Sequence, residues 1–366
     1  MRVVIAPDSF KGSLTSVQVA TALADGWRLA RPDDEVLLAP LADGGEGTLV
    51  AIAAAGGWEW RRVDTTDPIG RPVAARWLRS TDGARAVVEL AEASGLSRLA
   101  ASDRDPAGAS TRGTGEVIRA VLEDGIRTIT LGIGGSATTD GGAGILRALG
   151  AVIEDSRVDL AGLDARLSEV DLRIACDVSN PLLGPSGAAT TYGPQKGATT
   201  ADVAELDLAL GRYADLLGAA TGRDERETPG SGAAGGTSFG LLSIGDRFQS
   251  VRLVPGVEVV IDETGLRDKL VGAGLVITGE GRIDAQTAFG KTALGVVQLA
   301  HAAGVACVAV GGGVEVWGIE ALRPLGAVVV PVVERPQSVE EAMAAGIDPV
   351  IRCGERIARL ASILPS

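Results

Sequence analysis

Lysine is scarce in this chain: of 34 basic residues only four are lysine, and three of those four lie in glycine-rich loops. They are Lys11 in Asp8-Ser9-Phe10-Lys11-Gly12-Ser13, Lys196 in Gly193-Pro194-Gln195-Lys196-Gly197, and Lys291 in Gly290-Lys291-Thr292. The fourth, Lys269, sits in an ordinary helical pattern. A compact ammonium beside exposed backbone N–H groups suits a phosphate. Acidic residues recur in the same kind of loop: Asp8, Asp43 and Glu46 in Asp43-Gly44-Gly45-Glu46-Gly47, Asp177 ahead of Lys196, and Glu280 and Asp284 in the segment from Thr278 to Lys291. The remaining loop, Gly132 to Gly142, brings Gly134, Gly135, Ser136, Thr138 and Thr139. Carboxylates would repel a bare polyphosphate, but they fit one whose charge is bridged by Mg²⁺, which takes one or two carboxylates together with phosphate oxygens. Lysine, carboxylate and glycine together read as phosphoryl transfer from a magnesium nucleotide.

Each loop alone has a plainer reading. Asp8 and Asp43 could each cap the next helix, Ser136 to Thr139 could do the same, and Glu46 could serve a helix dipole. The spacing in Gly132-Ile133-Gly134-Gly135-Ser136 is not the dinucleotide fingerprint, and neither Lys11 nor Lys291 fits the P-loop pattern. The absent fingerprint disfavours a nicotinamide-dependent oxidoreductase. A non-catalytic binding or regulatory protein for a sugar acid is the alternative from another class, and it has no need of acidic groups at strand ends.

The elements that must position these loops follow the βα pattern at both ends of the chain. Arg2–Pro7 and Glu35–Pro40 read as buried strands, each leading through one of the loops into a helix, the first capped by Thr15 and Gln18. Leu275–Thr278, Ala306–Val310 and Ala327–Val333 read as aliphatic strands, with helices over Thr292–Ala303 and from about Pro349 to Leu364. The middle differs: Trp58–Val63 and Pro72–Leu78 suggest an antiparallel pair about the turn Asp67–Gly70, and residues 222–237 read as a loop. The expected fold is a Rossmann-like doubly wound parallel-sheet domain, residues 1–56 and 268–366, interrupted by an inserted α/β domain with a mixed sheet, residues 57–267.

Composition sets the bounds. The chain has 366 residues, 46% hydrophobic and only 3% aromatic, so the cores are aliphatic, as suits parallel sheets buried on both faces. A net charge of −13 argues against nucleic acid as a partner. The cysteines, Cys176, Cys307 and Cys353, are few and far apart, as expected of a cytoplasmic protein without a disulfide framework. Neither a signal peptide nor an apolar run of membrane-spanning length is read. The single histidine, His301, leaves zinc sites and Ser-His-Asp triads without material.

The segments Ala6–Thr15, Pro40–Thr48, Gly132–Gly144, Asp177–Gly197 and Thr278–Lys291 closely resemble the bacterial glycerate kinases of the type that includes the glycerate 2-kinases, and the resemblance runs over essentially the whole chain. It implies ATP- and Mg²⁺-dependent phosphorylation of D-glycerate to 2-phosphoglycerate, with the 3-phospho isomer as the other product, and a Rossmann-like domain interrupted by a second α/β domain. A homo-oligomer is compatible with the sequence, which does not set the copy number. On this basis the expected catalytic groups are Asp8, Lys11, Asp43, Asp284 and Lys291, with the general base left open among the acids. Asp43 and Glu280 are the expected metal ligands. Substrate and nucleotide contacts are expected from Ser9, Gly12, Gly44, Gly45, Gly134, Gly135, Ser136, Thr138, Thr139, Lys196, Gly279, Gly281 and Arg282. Both substrates are expected to bind in a cleft between the domains, which Lys196 would serve only if the insert folds back over it.

Overall fold

The structure, a computed structural model, describes residues 1–42, 44–285, 287 and 292–363. Its strands in chain order are β1 Arg2–Pro7, β2 Glu35–Leu38, β3 Trp58–Thr66, β4 Pro72–Ser80, β5 Arg85–Glu89, β6 Thr128–Gly132, β7 Val152–Glu154, β8 Arg157–Asp159, β9 Asp171–Ala175, β10 Ser250–Val254, β11 Leu275–Ile283, β12 Ala306–Val314 and β13 Val328–Pro331. They divide between two compact units. One comprises Met1–Asp43, Val50–Gly56 and Val257–Ser366; the other comprises Gly44–Leu49 and Gly57–Gly256. Residues 44–49 thus pack with the second unit and 257–267 with the first, each opposite to the division expected from sequence.

The first unit holds a five-stranded sheet in the order β13-β12-β11-β1-β2, parallel throughout. From β1 the chain builds β2 on one side and β11 to β13 on the other, so the strand order reverses between β1 and β11. Loops leaving the carboxyl ends of strands at such a switch point line the ligand crevice of doubly wound sheets. The inner strands β1 and β11 are largely closed to solvent, with Val3, Val4, Ile5, Val276 and Ile277 fully buried, while the edge strands β2 and β13 are partly exposed. On one face, the helices Ser16–Ala30 and Asp348–Ala361 lie backbone to backbone: a Cβ on Gly26 would fall 1.9 Å from the Ile351 carbonyl oxygen, and one on Gly354 would fall 2.4 Å from that of Leu23. Thr15 caps the first of these helices through the reciprocal bond with Gln18, as expected.

Strand β11 is longer than the sequence suggests. Glu280 and Arg282, read as loop residues, continue the strand and pair with Gly311 and Gly313 of β12. Glycines on both strands weaken the local strand signal, while they let the two backbones run close. The helix Thr292–Ala303 has the bounds expected of it.

The second unit is mixed. Its six-stranded sheet runs β10-β9-β6-β5-β4-β3, with β10, β9, β6 and β5 mutually parallel and β4 and β3 antiparallel additions. The turn at Asp67 follows the sequence reading, its carboxylate accepting from the backbone of Ile69 and Arg71. A small hairpin, β7-β8, stands apart from that sheet. The helix Ala233–Ser243 overlaps the end of residues 222–237, but Ala234, Gly235 and Gly236 have left-handed, non-helical dihedrals, so regular helix starts only after them and the stretch before it is irregular, as expected. The glycines serve the bend and the close packing there, since a Cβ on Gly235 would meet the Thr138 carbonyl oxygen at 2.0 Å. The core of this unit, with Val88, Leu131, Ile145, Ile174 and Phe239, lies between the sheet and its helices. Among the described residues, no helix is long and apolar enough to cross a membrane.

Candidate functional site

The sequence-predicted residues gather in two clusters, one in each unit. In the first unit the clustering starts where β1 ends. The Asp8 amide donates to the Gly279 carbonyl (2.8 Å), which carries the β1–β11 pairing one step past the strand. The chain then closes a tight loop in which Phe10 and Leu14 bond each other's backbones. Gly12, with φ of +83°, makes the turn that a side chain would strain. The loop leaves Lys11 exposed to solvent.

The Asp8 carboxylate is gripped on both oxygens. The Ser9 amide donates to Oδ1 (2.6 Å) and the Thr292 hydroxyl to Oδ2 (2.8 Å), at the first residue of the helix Thr292–Ala303. Donors on both oxygens favour the ionised acid. A Cβ on Gly281 would stand 3.2 Å from the Phe10 Cα and 3.3 Å from the Lys11 nitrogen. The extension of β11 therefore passes against the Lys11 loop, and a larger residue at 281 would push the two apart. Glu280 is buried and accepts from the Thr287 hydroxyl (2.9 Å), which in turn accepts from the Asp284 amide (3.1 Å).

Two expectations in this cluster take a different form. Gly279 is required by packing: a Cβ there would lie 2.3 Å from the Val310 carbonyl oxygen. Arg282 is exposed, and its guanidinium pairs with Glu315 and, at 3.6 Å, with Asp284. Asp43 and Lys291, both expected to act in the chemistry, lie outside the described residues.

In the second unit, Gly44 and Gly45 pack against the loop that leaves β6. A Cβ on Gly132 would fall 2.9 Å from the Gly44 carbonyl oxygen, and one on Gly134 would fall 2.4 Å from the Gly45 Cα. Gly135, at φ +74°, turns the chain into Ser136. The Gly135 carbonyl accepts from the Leu96 amide (2.8 Å), and the Ala137 amide donates to Ser94 (3.0 Å). Asp140 fastens the far end of this loop, accepting from the amide and hydroxyl of Thr111 and from the amides of Gly142 and Gly144.

Lys196 enters this second cluster from the Gly193–Gly197 segment and is 2% exposed. Its ammonium donates to the Ser136 hydroxyl (2.8 Å) and the Thr138 carbonyl (2.5 Å). Burial pulls its pKa down to about 7, against the opposing field of Asp140. Thr138 and Thr139 are buried in the same loop, and among the described residues neither side-chain hydroxyl has a hydrogen-bond partner. A buried cation with unpartnered hydroxyls beside it is an arrangement suited to a carboxylate or phosphate.

Asp177 accepts from the Gly256 amide (2.7 Å), and Asn180 is held by Tyr192 and the Ser186 carbonyl. Burial pushes the Cys176 thiol up, which disfavours the thiolate.

Sequence reasoning passed over Glu89, at the carboxyl end of β5. It is 4% exposed, and its carboxylate accepts from the amides of Gly47 (3.0 Å) and Leu49 (3.2 Å). The signal was present, an acidic residue closing an aliphatic strand, but no glycine or lysine beside it drew notice.

A sequence profile of the glycerate kinase family matches residues 3–362. A glycerate kinase of Halalkalibacterium halodurans is 41% identical, with 98% of each chain covered. A glycerate 2-kinase of Escherichia coli K12 is 44% identical over 82% of each. A crystal structure from Salmonella typhimurium LT2, assigned as a glycerate kinase 2, superposes with a TM-score of 0.86 at 39% identity, covering 99% of this chain and 98% of its own.

Proposed function

The chain belongs to the glycerate kinase family, and on that premise we propose that it transfers the γ-phosphoryl group of ATP to D-glycerate in the cytoplasm, giving 2-phosphoglycerate. The enzyme is a phosphotransferase with an alcohol group as acceptor. The observation that carries the reading is the junction of β1 and β11: a carboxylate held by donors on both oxygens, an exposed lysine in the same loop, and an acidic strand extension passing against that loop.

In the proposed mechanism the first-unit cluster handles the transferring phosphate. Lys11 neutralises charge on its oxygens, with Lys291 assigned the same task. Asp8 would accept the proton that the glycerate hydroxyl loses as its oxygen bonds phosphorus and the bond to ADP breaks. Ser9 and Thr292 hold that carboxylate in place. The donor chemistry fits Mg²⁺: the Glu280 carboxylate offers hard oxygens, and Asp43 is assigned with it as the second ligand. No cage of three or more acidic, histidine or cysteine ligands occurs among the described residues, and Mg²⁺ in nucleotide sites needs none. When bound, the ion would offset charge on the phosphate oxygens. The second-unit cluster is suited to an anion: Lys196, with the Ser136, Thr138 and Thr139 hydroxyls, would hold a carboxylate or phosphate, while Gly44, Gly45, Gly134 and Gly135 keep the two loops close. The two units are taken as the two domains of the enzyme.

The test is to incubate the protein with ATP, Mg²⁺ and D-glycerate and to resolve the products by NMR. Phosphoglycerate is expected, with the phosphorus coupling on the C2 proton; coupling at C3 would assign the isomer instead. No phosphorylated product would overturn the reading.

A further inference from the structure

Glu89 is an acid that stability alone gives little reason to keep. It is buried, and among the described residues no arginine or lysine forms an ion pair with it; Arg76 and Arg98 pair with Glu92 instead. An ionised carboxylate away from water is costly unless it is hydrogen-bonded. Glu89 meets that cost with two backbone donors, Gly47 on one oxygen and Leu49 on the other. Its own backbone lies in register with Gly132, at the start of the Gly132–Thr139 loop. The Gly44–Gly47 segment is therefore held from two directions, by the glycine contacts of Gly132 and Gly134 and by the carboxylate of Glu89.

We propose that Glu89 is a positioning residue for phosphoryl transfer: by accepting from Gly47 and Leu49 at once, its ionised carboxylate sets the path of the Gly44–Gly47 loop and of Glu46 within it. This rests on the reading above, in which that loop serves the reaction. Only the ionised acid has acceptors on both oxygens; a protonated acid, or an amide, turns one donor toward an N–H and releases half of the grip. The electrostatics oppose ionisation. Burial, then the charges of Glu92 on the following helix and Glu46 on the loop itself, push the acid up to about 7, the two amides pulling the other way, with Arg76 of β4 the cation that senses it. Because this pKa is raised by folding, the associated stability is full in acid and is lost as pH rises through about 7. The proposed role in activity runs oppositely, growing as Glu89 ionises. A simple helix cap would make activity follow the folded fraction.

The test compares the full-length wild type with Glu89→Gln and Glu89→Asp, measuring kcat, KM for D-glycerate, thermal midpoint and the pH dependence of kcat. Glu89→Gln is expected to lower kcat about 10- to 100-fold, as misplacement of a catalytic loop does, with KM for D-glycerate within about twofold and the thermal midpoint held or raised. The wild type is expected to show an acidic limb near pH 7, and Glu89→Gln to lose it. Glu89→Asp, which keeps the charge, should recover part of the rate. An active wild type with full kcat in Glu89→Gln overturns the inference alone. Should both variants unfold, the wild-type profile decides: kcat flat through pH 7, or falling with stability, overturns it. A wild type that makes no phosphoglycerate removes the assigned function and this role with it.

Discussion

Two half-buried or buried lysines, one in each unit, meet different surroundings. Lys269 of the first unit donates to three backbone carbonyls, those of Thr264 (2.7 Å), Ala55 (2.8 Å) and Leu38 (3.1 Å). Its ammonium has three protons, and each is used. It ties the end of β2 to the ends of the helices Thr48–Ala54 and Gly256–Glu263. Lys196 of the second unit has one carbonyl and one hydroxyl acceptor among the described residues, with unpartnered threonine hydroxyls in the same loop. Burial lowers the pKa of both. What separates them is saturation. A lysine whose donors are all taken by backbone is a strut, whereas one with a donor to spare is available to a ligand.

That distinction breaks down if the two lysines respond alike to removal. Lys196→Met is expected to have the larger effect, lowering kcat/KM for D-glycerate about 100- to 1000-fold, the loss that follows removal of one preorganised donor, while the thermal midpoint changes little or rises because a buried charge is gone. Steady-state kinetics beside thermal melts would show it; a fall confined to the melting temperature would make Lys196 a second strut. Lys269→Met should do the converse, destabilising the protein by about 2–4 kcal/mol because buried carbonyls lose their donor, with kcat per folded molecule unchanged. Urea unfolding and active-site titration separate these quantities.

A smaller effect sharpens the contrast. With its pKa near 7 against an ordinary value far higher, Lys196 loses its charge as pH rises through about 7. KM for D-glycerate should therefore rise on the alkaline side. Stability should move the other way: the pKa is depressed by folding, so the associated stability is full only above the ordinary lysine pKa and is lost as pH falls toward 7. A KM that is constant from pH 6 to 9, with D-glycerate ionised throughout, would remove Lys196 from carboxylate binding.

The parallel sheet and its loops were legible because strand ends carry their own marks: an aliphatic run, then aspartate, glycine and lysine. Asp8, Lys11 and Glu280 follow that rule, and the structure brings their segments together at β1 and β11. Less visible was whatever depends on partners distant in sequence. The extension of β11 pairs with glycines some 30 residues away, which no local propensity announces. Strand β10 was hidden in the same way. Lys269 looked ordinary because its three acceptors come from three separate elements. Glu89 escaped for the opposite reason: its role lies in two backbone amides, and amides have no sequence signature.

The glycine-mediated fit between Ser16–Ala30 and Asp348–Ala361 has a consequence for synthesis. The first of these helices leaves the ribosome early, and the surface it must bury against leaves only after the whole of the second unit has been made. The second unit, nearly continuous in sequence, is free to fold as it emerges. The first unit must wait, with the apolar face that carries Leu23 and Trp27 uncovered in the interval. In a chain made from its first residue onward, the middle of the sequence can complete its core before the two flanking segments complete theirs.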